Sequence, residues 1–241
     1  AFNGTADLSA VTDNTALAVT ANVSDQAGNA ATQFSNTIVL DTVAPTIANV
    51  SVADGTYKVG DTLAVTITAT GNETGLTLSS ATFNGQTLTN ITDNNDGTYS
   101  ATYTVVEGDS DIADAGSVTT DLAFSDSAGN TGAATTSVTL AGESIDANSP
   151  TIASLVISTD DIINSSDTKS AVAFSGITTG VEDNQNITVV IGGVSTSVAV
   201  TDNAFSGTAD LSAVSDSTAL AVTADVSDAA GNAATQFTKN I

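Results

Sequence analysis

Short runs in which apolar residues alternate with Thr, Ser or Asn recur along the chain, separated by clusters of Gly, Asn and Asp. A period of two places the apolar set on one side of a strand. Leu63, Val65, Ile67 and Ala69 form one inward set, with Ala64, Thr66 and Thr68 outward. Tyr99, Ala101, Tyr103 and Val105 form a second, and Leu220, Val222, Ala224 and Val226 a third. The pattern predicts strands near 47–53, 62–70, 80–85, 87–92, 98–106, 117–125 and 133–140. It predicts a matching series near 152–158, 170–177, 186–192, 195–201, 204–211, 218–227 and 234–240. Few stretches of helical length escape β-branched residues or glycine, so the chain reads as all-β.

The series repeats because the sequence does. Residues 1–38 return as 204–241 with 8 of 38 positions changed. Asp-x-Ala-Gly-Asn occurs at Asp25–Asn29, Asp126–Asn130 and Asp228–Asn232, at intervals of 101 and 102 residues. That interval is the size of one immunoglobulin-like sandwich, and seven strands fall within each full interval. The only two prolines mark the boundaries, in Asp41-Thr-Val-Ala-Pro45-Thr46 and Asp146-Ala-Asn-Ser-Pro150-Thr151. Proline fixes φ and biases its predecessor to extended backbone, which suits short, stiff connectors. The fold expected is tandem immunoglobulin-like seven-stranded β-sandwich domains arranged end to end: a partial domain 1–41, complete domains 46–146 and 151–241, and linkers 41–46 and 146–151. The partial domain aligns with the last three strands of a sandwich, near 1–9, 15–24 and 31–40. Three strands cannot cover both faces of a core. We read residue 1 as a cut inside a longer tandem array; completion by strands of a neighbouring molecule is the alternative.

Composition narrows the chemistry. The 241 residues include 27 acidic and 3 basic ones, the latter Lys58, Lys169 and Lys239, and no His, Cys, Met or Trp. Imidazole and thiolate catalysis are thereby excluded, with most zinc, haem and iron–sulfur ligation. A net charge of −24 argues against nucleic acid and anionic membrane surfaces as partners. No apolar run reaches a membrane span, and residue 1 opens on no signal-peptide pattern. Carboxylate pairs can hydrolyse glycosides, but the acids fall in loops and aromatics are 4% of the chain, so no enzyme is expected. Lysine–asparagine isopeptide chemistry has Lys58 and Lys169 as in-domain candidates; guarding a strand edge is the plainer role. The loop 107–116, EGDSDIADAG, is the longest acidic segment and reads as a solvated connection.

The stretches APTIANVSVADGTYKVGDTLAVTITA, DNNDGTYSATYTV and SDSAGN resemble tandem bacterial Ig-like domains, the repeats of very large surface adhesins. FSGITTGVEDNQNITVVIGG and VSDAAGNAAT are similar to the extender repeats of such adhesins, including those exported by type I secretion. The resemblance covers the whole chain and implies an extended stalk on the bacterial cell surface, often stiffened by calcium at its joints. Its partners would be the neighbouring repeats of the same chain, with no membrane insertion. Self-association into an extracellular filament or biofilm matrix is the alternative. Asp146-Ala-Asn148-Ser-Pro150 also resembles cadherin calcium linkers but lacks their second Asp.

Topology makes a separate case for calcium. In a seven-strand sandwich the loops between strands two and three, four and five, and six and seven share the end at which the chain arrives. For the second domain these carry Glu73, Asp93 with Asp96, and Asp126, where Asp41 also arrives. For the third they carry Glu182 with Asp183, Asp202, and Asp228, where Asp146 arrives. Asp13 ends the first domain, and Asp109, Asp111 and Asp114 the second. No lysine lies near them in sequence. Crowded carboxylates repel by about 1 kcal/mol per pair at ~4 Å even in water, and a hard dication taking six to eight oxygens relieves this. The candidate ligands are Asp41, Glu73, Asp96, Asp126, Asp146, Asp183, Asp202 and Asp228, foremost Asp41, Asp126, Asp146 and Asp228. Each Asp-x-Ala-Gly-Asn is first of all a turn, its Asp capping backbone amides.

Overall fold

The computed structural model describes residues 3–165 and 167–241. Strands dominate, and among the described residues there is no α-helix, hence none long and apolar enough to cross a membrane. The N-terminal segment contributes β1 (Asn14–Ala21) and β2 (Phe34–Leu40), an antiparallel pair with Ala18 opposite Thr37. The strand expected near 1–9 is absent from residues 3–9.

The second domain runs β3 (Ile47–Val52), β4 (Gly55–Lys58), β5 (Thr62–Ala69), β6 (Thr77–Phe83), β7 (Gln86–Thr87), β8 (Thr89–Asp93), β9 (Thr98–Thr104), β10 (Ser117–Ser125), β11 (Thr135–Thr139) and β12 (Glu143–Asp146). One sheet has the order β3-β5-β9-β8 and the other β11-β10-β6-β7. The alternating residues of β5 and β9 face between them: Leu63, Val65, Ile67, Tyr99, Ala101 and Tyr103 are buried. Tyr103 meets Phe83 of the opposite sheet at 5.2 Å between ring centroids, and Tyr99 meets Phe124 at 4.6 Å. Both pairs are tilted, the arrangement aromatic quadrupoles favour. Two elements escape the alternation rule. β4 and β12 are short, and they pair in parallel, with Asp146 opposite Lys58, so the last strand leads straight into the second linker.

The third domain comprises β13 (Thr151–Ile157), β14 (Val172–Thr179), β15 (Asn186–Ile191), β16 (Val194–Ala199), β17 (Ala204–Ala209), β18 (Ala221–Asp225) and β19 (Phe237–Asn240). Its sheets are β13-β14-β17 and β16-β15-β18-β19, enclosing Leu155, Ile157, Phe174, Ile187, Ile191, Val222 and Ala224. These paired sheets are the immunoglobulin-like sandwich expected. β17 exists because β14 pairs with it along its length, Phe174 opposite Gly207. Residues 3–6, which correspond to the last four residues of β17, are not strand.

Candidate functional site

The recurring pentapeptide closes on itself in the same way three times. In the third domain the Asp228 amide donates to the Asn232 carbonyl, while the Asn232 amide and Nδ2 donate to the Asp228 carboxylate. Asp126–Asn130 and Asp25–Asn29 repeat those bonds. Glycine at the fourth position is required: Gly28, Gly129 and Gly231 all have φ between 91° and 96°, left-handed backbone that side chains disfavour. The side chain of Asn130 holds the Asp126 carboxylate below its ordinary 3.8, and Asn29 does the same for Asp25.

The asparagine then reaches the linker. Asn232 Nδ2 donates to the Asp146 carbonyl at 3.2 Å, and Asn130 Nδ2 to the Asp41 carbonyl at 3.2 Å. Asp228 and Asp146 therefore meet across one asparagine side chain, and so do Asp126 and Asp41. At the second joint the contact extends into the preceding domain. Val59, just past β4, donates its amide to Asn232 Oδ1 at 2.8 Å, and Lys58 Nζ donates to the Gly231 carbonyl at 2.8 Å. A lysine thus comes to this joint from far away in sequence, although none lies near it along the chain. It forms no ion pair with Asp146 within 4 Å among the described residues.

Burial of the loop differs among the three copies. Asp228 and Asn232 are buried beneath a complete domain, Asp126 and Asn130 are half-buried behind the two-stranded segment, and Asp25 and Asn29 are exposed. At the second joint Asp146 is the carboxylate pushed upward. Burial raises its pKa, and the neighbouring charges of Asp228, Asp111 and Glu182 raise it further.

The acidic loop 107–116 is a clasp on the linker rather than a solvated connection. Glu107 accepts the Ser149 amide and hydroxyl, and Asp111 accepts the Ala147 amide and Asn148 Nδ2. Ile112 pairs its backbone with Ile145. Asp109 turns inward to accept Gln86 Nε2, the Tyr103 hydroxyl and the Val106 amide. At the first joint Asp13 holds the Thr42 amide and hydroxyl.

Other expected ligands stand apart. The Glu73 carbonyl accepts the Tyr99 hydroxyl, Asp93 accepts the Gly75 amide, and Asp96 caps Thr98. Among the described residues no hydrogen bond joins Glu73 or Asp96 to Asp41 or Asp126. Asp183 accepts the Asp202 amide at 2.8 Å, which brings those two together but not to Asp146. Glu182, next to Asp183, is the residue that turns to the joint, accepting the Ala229 amide. Among the described residues no three acids form a ready-made metal cage. The second joint therefore gathers Asp111, Asp146, Glu182 and Asp228 near enough to disturb the charge of Asp146, without closing around a common centre.

Asp111, Glu182, Asn232 and Lys58 were absent from the foremost ligand set. Asn232 was visible as the invariant last letter of the repeat; Lys58 had no sequence signal, since parallel pairing alone brings it to Asp146.

Residues 41–141 match the model of the bacterial Ig-like domain. Among solved structures the chain is similar to a Ca2+-stabilized adhesin with which an Antarctic bacterium reaches out and binds ice, at 29% identity and TM-score 0.44, over 97% of this chain and 57% of that one. It is similar to a 1.5-MDa bacterial ice-binding adhesin at 20% identity and TM-score 0.41, over 83% of this chain and 65% of that one. A tetra-tandem repeat from the extending region of a large adhesion protein is 24% identical with TM-score 0.32, over 98% of this chain and 58% of that one. The chain spans less than two thirds of each of these structures. No curated protein sequence matches it.

Proposed function

We propose that the chain is a spacer in an extracellular bacterial surface adhesin: sandwich domains joined end to end, holding a binding module away from the cell, with calcium stiffening the joints. The observation that carries the reading is the second joint. There the linker is gripped from both sides, by Glu107 and Asp111 of one domain and Asn232 of the next. A short connector held at both ends transmits orientation between domains, which a spacer needs and a flexible tether does not supply.

The donor chemistry at this joint fits calcium. Asp111, Asp146, Glu182 and Asp228 would hold it, beside the amide oxygen of Asn148; all are hard oxygen donors, and the cost of charge on Asp146 is what a bound dication would remove. At the first joint Asp41 and Asp126 would contribute. Glu73, Asp96, Asp183 and Asp202 fit the role less well: the Asp96 and Asp183 carboxylates accept the amides of Thr98 and Asp202, and the bond from Tyr99 reaches Glu73 through its backbone carbonyl. Small-angle scattering and thermal melting, in calcium and then in excess chelator, test the reading. Calcium should raise the melting temperature and sharpen the long-dimension profile; an unchanged profile with an unchanged melting temperature would reject calcium stiffening.

The second reading is a self-assembling filament subunit, favoured by Val23, Phe34 and Val39, which stand exposed on the N-terminal segment. Sedimentation with and without calcium separates the two, a monomer in both supporting the spacer.

A further inference from the structure

We infer that Asn84 is a positioning residue of the second joint: from inside the second domain, its side chain holds the 107–116 loop in the conformation that grips the linker. Asn84 lies between β6 and β7, where Phe83 pairs with Gln86 across the two-residue turn Asn84–Gly85. Both turn residues have positive φ, 48° and 82°, as this tight hairpin requires. The turn alone does not call for asparagine. The third domain makes the same turn between β15 and β16 with Gly192–Gly193, at φ of 56° and 87°. What asparagine adds at position 84 is its side chain.

Asn84 is 6% exposed, and both hydrogens of its Nδ2 are used. One goes to the Tyr103 hydroxyl at 3.1 Å and the other to the Ser110 carbonyl at 2.9 Å. Tyr103 gives its single proton to Asp109 at 2.7 Å, so from Asn84 it can only accept. Burial, and then the bond to Asp109, push the Tyr103 hydroxyl up and keep that proton in place. Gln86, across the turn, donates to the other Asp109 oxygen at 2.6 Å. The loop is thus pinned inside the domain at the Asp109 side chain and the Ser110 carbonyl. Glu107 and Asp111, on either side, project outward to Ser149, Ala147 and Asn148. Pinning 109 and 110 fixes the backbone from which both clasp residues extend. Where the second domain has Tyr103 opposite Leu63, the third has Ala209 opposite Val172, so neither Asn84 nor Tyr103 recurs there. A buried polar chain with every donor and acceptor met favours one conformation, and removing a member leaves the others unpaired. The inference rests on reading the second joint as a gripped linker, and not on calcium.

The test is amide hydrogen exchange of the full chain in excess chelator, unaltered and as Asn84→Gly and Tyr103→Phe. The reporters are the Ala147 and Ser149 amides, which donate to the clasp, and the reference is the amides of β5 in the core of the same domain. Asn84→Gly keeps the turn, and should speed exchange at Ala147 and Ser149 by ~10-fold more than at β5. Tyr103→Phe keeps the ring and should act in the same direction. Acceleration at the reporters no greater than at β5 in Asn84→Gly would overturn the inference, because Asn84 would then serve the stability of its domain alone. Should Asn84→Gly not fold, Tyr103→Phe decides by the same criterion. Fast exchange at Ala147 and Ser149 in the unaltered chain would sink the gripped-linker reading itself, and the inference with it.

Discussion

Val59 donates its backbone amide to Oδ1 of Asn232 at 2.8 Å, joining residues 173 positions apart and on opposite sides of a domain boundary. The same side chain donates to the Asp146 carbonyl and to Asp228, so one asparagine ties together its own loop, the linker and the preceding domain. Asn232→Ala should cost about 1–3 kcal/mol by leaving partly buried groups unpaired. It should also broaden the distance distribution between spin labels in the second and third domains, even in chelator. Asn29→Ala, at a loop with no such partner, should change neither reading. An unbroadened distribution for Asn232→Ala would mean that the joint is held elsewhere.

The state of Asp146 gives a prediction with a definite sign. Its pKa is raised by burial and by Asp228, Asp111 and Glu182, so the folded protein disfavours the charged form. Its contribution is favourable at a pH low enough to keep it protonated, and is lost as pH rises through the raised value. Asp146→Asn should therefore raise the melting temperature at pH 7 without calcium, and reduce the further rise that calcium brings. A fall in stability without calcium would show that the carboxylate is better solvated than its neighbours imply.

How far the sequence carries can be judged from such residues. The alternation of β5 and β9 foretold which of their side chains are buried, because a half-buried strand writes its faces at period two. The repeat interval and the two prolines are what suggest the domain boundaries. β4 and β12 were not legible: Gly55–Lys58 and Glu143–Asp146 carry little alternation, and their parallel pairing joins stretches distant in sequence. Because Lys58 arrives by that pairing, its part in the joint was hidden as well. For the acids, the position of a loop did not reveal the direction of each side chain. Glu182 and Asp183 are adjacent, and only Glu182 turns towards the joint.

Gly132 sits beneath the first linker. A Cβ built there would lie 1.9 Å from the Pro45 carbonyl oxygen and 3.1 Å from its carbon, both backbone atoms that cannot rotate away. The equivalent position of the third domain is Ala234. Gly132→Ala should displace the first linker and cost about 1–3 kcal/mol, the range of overpacking. Ala234→Gly should cost at most about 1 kcal/mol. Backbone chemical shifts around Pro45 that do not move in Gly132→Ala would refute the close approach.

Acid should loosen the domains in a narrow range. Burial alone would raise Asp109, but hydrogen bonds from Gln86, Tyr103 and Val106 outweigh it and hold its pKa below the ordinary 3.8. Asp161 is lowered by the Ile157 amide and by Lys239, and Asp126 by Asn130. A lowered folded pKa gives stability that is present above the unfolded value and lost as pH falls through the folded one. Melting temperature should hold down to about pH 4 and then fall steeply, less steeply in Asp109→Asn. A melting temperature independent of pH down to 2.5 would contradict these hydrogen bonds.

The duplicated segments permit one substitution to be compared in two settings. Val222→Ala removes two methyl groups from a closed core and should cost about 2 kcal/mol, whereas Val19→Ala removes the same groups from an exposed face and should cost less than about 0.5 kcal/mol. Because the residues flanking both valines are nearly the same, local propensity cancels between them and the difference reports burial alone. Denaturant melts of the two single variants supply the measurement. Equal costs would mean that the face of β1 is covered in solution.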